Sequence, residues 1–123
     1  MTLKKTENDS LNFEKLVQFI ENKINVGSNL NTKSSKFRYV KLIENNSVVV
    51  FVGKENVVKI TFESLFEIYR LSLQNKGVYN KSICLEILRQ QTLNKGCLVH
   101  VVGMIFVEIC VMRIVDDRNY EII

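Results

Sequence analysis

The sequence predicts an α+β domain: an N-terminal helix, a β-hairpin or short antiparallel sheet, then further helices and a C-terminal hairpin. Three observations carry this expectation. Apolar residues recur at helical spacing in two stretches, Phe13 to Ile24 and Phe62 to Leu73. β-branched and aromatic residues concentrate in 37–43 and 47–52, on either side of Glu44-Asn45-Asn46. Finally, 123 residues with a 46% hydrophobic composition suit one core and leave little room for two, so 1–123 reads as a single domain.

Residues 1–9 are polar and are expected to fray. Ser10 or Asn12 can cap a helix that runs to about Ile24, with Phe13, Leu16, Val17, Ile20 and Ile24 on one face. The stretch 25–36 holds Gly27 and many Asn and Ser residues and reads as a loop. The hairpin follows, turning at Glu44-Asn45-Asn46; 53–56 forms a second turn and 57–60 a short third strand. Thr61 caps a helix through about Gln74, and Gly77 suits its C-terminal cap. Asn80 or Ser82 starts a short helix with Ile83, Cys84, Ile87 and Leu88 inward. In 97–115 apolar residues occupy both parities, so a long strand and a buried helix followed by a strand explain the same residues. Asp116 to Asn119 is a turn, and Tyr120 to Ile123 a final strand.

Charge is unevenly placed. Residues 1–60 carry ten Lys or Arg against six Asp or Glu, and residues 61–123 carry seven against seven. The segment from Lys23 to Lys41 has no acidic residue, and Phe37 and Tyr39 interleave with Lys36, Arg38 and Lys41. Cations neutralise phosphates and aromatic faces stack on bases, so Lys33, Lys36, Phe37, Arg38, Tyr39 and Lys41 are candidate nucleic-acid contacts. On a strand, Phe37, Tyr39 and Lys41 share one face and Arg38 takes the other. The alternative is a solvated basic loop leading into an ordinary strand.

With the helical option for 97–109, the second half runs helix, short helix, helix, hairpin. That order resembles winged helix-turn-helix DNA-binding domains, in which the third helix enters the major groove and the hairpin wing touches the backbone. The resemblance covers about half of the chain and implies winged-helix-like helices, duplex DNA as partner, and Arg113 and Arg118 as the wing's contacts. The pattern is departed from in the third helix, where only His100 and Glu108 are clearly polar.

The same residues speak against chemistry. His100 is the sole histidine, within an apolar run, and no glycine-rich phosphate loop is present. Cys84, Cys97, His100 and Cys110 lack the paired knuckles of a zinc site, so no metal, cofactor or enzymatic activity is expected. The three cysteines sit among apolar neighbours and are expected to be buried thiols in a reducing, cytoplasmic setting. Residues 97–107 are too short to cross a bilayer. The expected function is DNA binding, duplex or single-stranded, in a transcription or genome-maintenance role. The rival is an assembly module whose apolar 97–115 segment forms an oligomer interface, and a homodimer is expected from that surplus.

Overall fold

Asn12 starts the first helix by accepting the Lys15 N–H on its Oδ1 at 2.8 Å. The computed structural model describes residues 11–33, 37–53 and 56–123. The expected fraying of 1–9, Ser10 as a cap, and Lys36 therefore lie outside the described residues. Helix α1 (Phe13–Lys23) buries Leu16 and Ile20. Phe13 sits at the edge of that face, packed edge-on against Phe66 with ring centroids 5.7 Å apart.

Strands β1 (Tyr39–Glu44), β2 (Ser47–Phe51) and β3 (Val57–Thr61) form an antiparallel sheet in sequence order. Asn45 and Asn46 both adopt left-handed backbone, at φ 47° and 59°, which gives the hairpin turn whose twist matches its strands. Asparagine tolerates that region because its short side chain can bond locally. The β1–β2 register shifts between Val40 and Leu42, a bulge centred on Lys41. Val40, Val48, Val50, Val58 and Ile60 fill the inner face.

Thr61 caps helix α2 (Phe62–Gln74), accepting the Ser64 N–H at 3.0 Å. Gly77 ends the helix region at φ 80° and donates to the Ser72 carbonyl. Strand β4 (Val78–Tyr79) follows, an element the sequence reading lacks. Its two residues are too few to show periodicity, and only pairing with a distant strand defines them. The short helix expected after Asn80 is two helices, α3 (Lys81–Ile87) and α4 (Arg89–Asn94), broken at Leu88 with φ −120° and ψ 47°.

Helix α5 (Leu98–Glu108) resolves the ambiguous apolar run in favour of helix. Tyr69, Tyr79 and Tyr120 surround it, and none of its residues is fully exposed. Strands β5 (Met112–Ile114) and β6 (Tyr120–Ile122) form the C-terminal hairpin, and the second sheet has the order β4-β6-β5. Asp116 shapes the hairpin turn by accepting the N–H groups of Arg118 and Asn119 at 2.8 and 2.9 Å.

The architecture is α+β, with helices α1, α2, α3 and α5 and the inner face of the first sheet sharing one apolar core. Gly103 of α5 lies under the Tyr120 ring: a Cβ there would meet its Cζ at 2.4 Å.

The cysteines differ from the expectation of three buried thiols. Cys84 is buried, Cys97 half-buried and Cys110 exposed. Cys110 occupies the left-handed residue that ends α5, at φ 63°. Its N–H bonds the Val107 carbonyl, and the Val111 N–H bonds the Phe106 carbonyl, so this turn needs the conformation more than the side chain. Cys110→Gly is accordingly expected to stabilise the fold by about 1 kcal/mol, because glycine adopts this conformation without steric cost. A higher urea midpoint at unchanged slope would register the gain. A lower midpoint would mean that the thiol contributes packing.

Candidate nucleic-acid interface

The outer face of the first sheet carries the aromatic and basic residues that the sequence interleaves. Arg38 and Val40 are buried, while Phe37 and Lys41 are exposed and Tyr39 is half-buried, so alternation assigns the faces as expected. The Phe37 and Tyr39 rings meet edge to face at 5.8 Å. Tyr39 is held from the other side: its hydroxyl accepts from Asn31 Nδ2 at 3.2 Å, and its backbone bridges Asn29.

Two neighbours on this face escaped the sequence reading. Phe51 pairs in register with Tyr39, and Val57 pairs with Phe51, so three strands place apolar side chains in one row. The Lys41 ammonium lies 5.6 Å from the centre of the Phe51 ring. Lys59, exposed on β3, adds a second cation to the same sheet. An Asn45-Asn46 turn by itself would set Val52 opposite Tyr39; the bulge at Lys41 shifts the register by one residue and brings Phe51 there instead, which the local pattern does not record.

The remaining candidates do not gather on this face. Arg38 is only 7% exposed, which removes it from any surface contact set. Lys33 is exposed and lines a cleft of about 670 Å³ together with His100, Asp117 and Tyr120. Arg113 binds Glu121 across the second hairpin at 2.6 Å, an exposed pair. Arg118 lies at the tip of that hairpin and lines a neighbouring cleft of about 580 Å³ with Lys81 and His100.

His100 thus stands between the two clefts. Its Nδ1 lies 2.9 Å from the Tyr120 hydroxyl. Burial, opposed by the Arg38 charge, pushes the Tyr120 phenol up to about 12, so it keeps its proton at neutral pH. The imidazole itself is lowered, first by burial and then by Arg38, with Asp117 working in the opposite direction. A base whose native value is depressed takes its proton more readily in the unfolded chain. Stability is therefore intact at neutral pH and is expected to fall as pH drops through the ordinary histidine value of 6.5. Denaturant midpoints at pH 7.5 and 5 should separate less in His100→Gln than in the parent chain. Equal separations in the two proteins would refute that role.

Among the described residues, no three of His, Cys, Asp and Glu gather where a metal could be held. Nor is any described helix long and apolar enough to cross a membrane. No family model, curated protein or solved structure matches this chain.

Proposed function

We propose that this chain binds nucleic acid, with a single strand of DNA laid across the outer face of the first sheet. The observation that carries the reading is the row formed by Tyr39 and Phe51, flanked by Phe37 and Lys41. Partly exposed rings offer stacking faces to unpaired bases, and Lys41 and Lys59 offer charge to the backbone between them.

A duplex-reading helix has less support. In α5, the helix at the groove-reading place, Leu98, Val99, Val101, Val102, Ile105 and Phe106 are all buried. Its polar residues His100 and Glu108 are only half-exposed. The same burial bears on the expected homodimer, because the apolar surplus of 97–109 enters the chain's own core. Within 97–115, the large apolar side chains left exposed are Ile114 and Val115. A cytoplasmic setting belongs to the same reading, given three unpaired thiols.

A salt titration of binding to a short single-stranded oligonucleotide and to its duplex tests the proposal. The single strand should bind more tightly at every salt concentration. Each phosphate contact contributes about 0.7 to the slope of log affinity against log salt for single strands, so Lys41→Ala with Lys59→Ala should flatten it by roughly 1.4. Preference for the duplex, or an unchanged slope in the double variant, would sink this assignment.

A further inference from the structure

The second hairpin, α3 and α5 border a cleft of about 580 Å³ whose permanently charged lining, among the described residues, is Lys81 and Arg118 with no carboxylate. The start of α3 supplies Lys81 and Ser82, the hairpin turn Arg118 and Asn119, and the first turn of α5 Val99 and His100. Asp116 and Asp117 line the neighbouring cleft and not this one. The Asp116 carboxylate is moreover occupied by the backbone N–H groups of Arg118 and Asn119 and by Asn119 Nδ2. Two like charges facing one space repel each other, and an anion between them turns that repulsion into two attractions.

The lining divides into groups that hold the walls and groups left for a ligand. Asn80 Nδ2 donates to Asn119 Oδ1 at 3.4 Å, which ties the start of α3 to the hairpin turn. Asn80 Oδ1 accepts the Ile83 N–H at 3.3 Å. The buried Tyr79 hydroxyl donates to the Val99 carbonyl at 2.6 Å and fixes the start of α5. By contrast, the Lys81, Ser82 and Arg118 side chains make no hydrogen bond or ion pair with another described residue. His100 engages the Tyr120 hydroxyl through Nδ1 at 2.9 Å, which leaves its Nε2. Unused donors from separate elements thus line one cleft, on a frame that is already bonded.

We propose that this cleft binds a terminal phosphate monoester, with Lys81 and Arg118 as its counter-charges and the Ser82 hydroxyl as a neutral donor. Phosphate suits this donor set better than a carboxylate does. Its three terminal oxygens accept from donors on separate walls, whereas the two oxygens of a carboxylate lie in one plane. The guanidinium adds paired hydrogen bonds to one edge of the group. The volume lies within the roughly 300–1,000 Å³ of small-molecule sites, which leaves room beyond the phosphate for an organic body against Val99. A free mononucleotide and the 5′ end of a DNA strand both present that phosphate. None of the lining residues belongs to the first sheet, so the site stands whether or not that sheet binds a strand.

The test uses the full chain with inorganic phosphate, a 5′-mononucleotide and the matching nucleoside at constant ionic strength. At millimolar concentration, phosphate and the mononucleotide should move the His100 ring signals in NMR spectra and raise the melting temperature. The nucleoside should do neither. Lys81→Ala and Arg118→Ala should each weaken mononucleotide binding by about tenfold. Both side chains are exposed, so the melting temperature without ligand should not change. Arg118→Lys, which keeps the charge and loses the paired bonds, should fall between Arg118→Ala and the parent chain. Arg89→Ala removes an equal charge from an exposed position of α4 outside the cleft and should bind like the parent. Tighter binding of a 5′-phosphorylated strand than of a 5′-hydroxyl one, lost in Lys81→Ala, identifies strand ends as the source of the phosphate. Equal binding of the two strands identifies the free nucleotide. A parent chain whose His100 signals ignore millimolar phosphate and mononucleotide overturns the proposal. So does undiminished binding when Lys81→Ala and Arg118→Ala are combined, or an equal loss in Arg89→Ala.

Discussion

Gly103→Ala is expected to destabilise the fold by about 3 kcal/mol, near the upper end of what overpacking a core costs. The added Cβ would stand 2.4 Å from Cζ of Tyr120 and 2.5 Å from Cε1. Neither partner can yield cheaply. Gly103 is within α5, and Tyr120 is 2% exposed with its ring against Tyr79 at 5.6 Å. The intrinsic preference of helices for alanine over glycine, about 1 kcal/mol, works in the opposite direction and is overwhelmed. Urea denaturation would show the loss as a lower midpoint. Combining Gly103→Ala with Tyr120→Leu should cost less than the two single changes added together, because the second relieves the clash introduced by the first. Additive losses, or a stabilised Gly103→Ala, would contradict this packing. The ring displacement should also break the Tyr120–His100 contact and alter the His100 signals.

Tyr39→Ala and Phe51→Ala should each weaken single-strand binding by about 1–3 kcal/mol, the range measured for aromatic–base stacking. That is roughly tenfold to more than a hundredfold per ring. Both side chains are only half-buried and lie on the outer face of the sheet, so the fold should survive each change. Tyr39→Phe keeps the ring and loses only the Asn31 hydrogen bond, and it should bind within a few-fold of the parent. Phe13→Ala is the matched control, since its ring packs on Phe66 of α2 and away from the sheet face. Anisotropy of a labelled pyrimidine oligonucleotide would measure all four. Equal losses in Phe13→Ala and Tyr39→Ala would show an effect of stability rather than of stacking.

The basic segment illustrates how a correct local reading can leave the chemistry open. Period-two alternation assigned Phe37, Tyr39 and Lys41 to one face and Arg38 to the other, and the side-chain exposures agree. It could not say which face meets the core. The apolar Val40, Val48, Val50, Val58 and Ile60 settle that, and they carry Arg38 inward with them. A residue that looks like a surface phosphate contact in the sequence is therefore an interior charge.

What the sequence determined by itself are the features written in a few neighbouring residues. Asn12 and Thr61 start their helices because an oxygen side chain reaches an N–H three residues on. Asn45-Asn46 and Asp116-Asn119 turn the chain for equally local reasons. Tertiary structure decided the features whose partners lie far along the chain. The run 97–109 has apolar residues on every side, so no periodicity separates helix from strand. It is a helix because α2, β4 and β6 bring Tyr69, Tyr79 and Tyr120 around it. Strand β4 exists only through its pairing with β6, and Cys110 is exposed at the left-handed residue that ends α5. One cleft likewise joins Lys33, His100 and Tyr120, three positions that nothing local connects. Caps and turns are decided by hydrogen bonds within one turn of chain. Burial is decided by which distant surfaces exclude water together, and a sequence read locally contains no record of that.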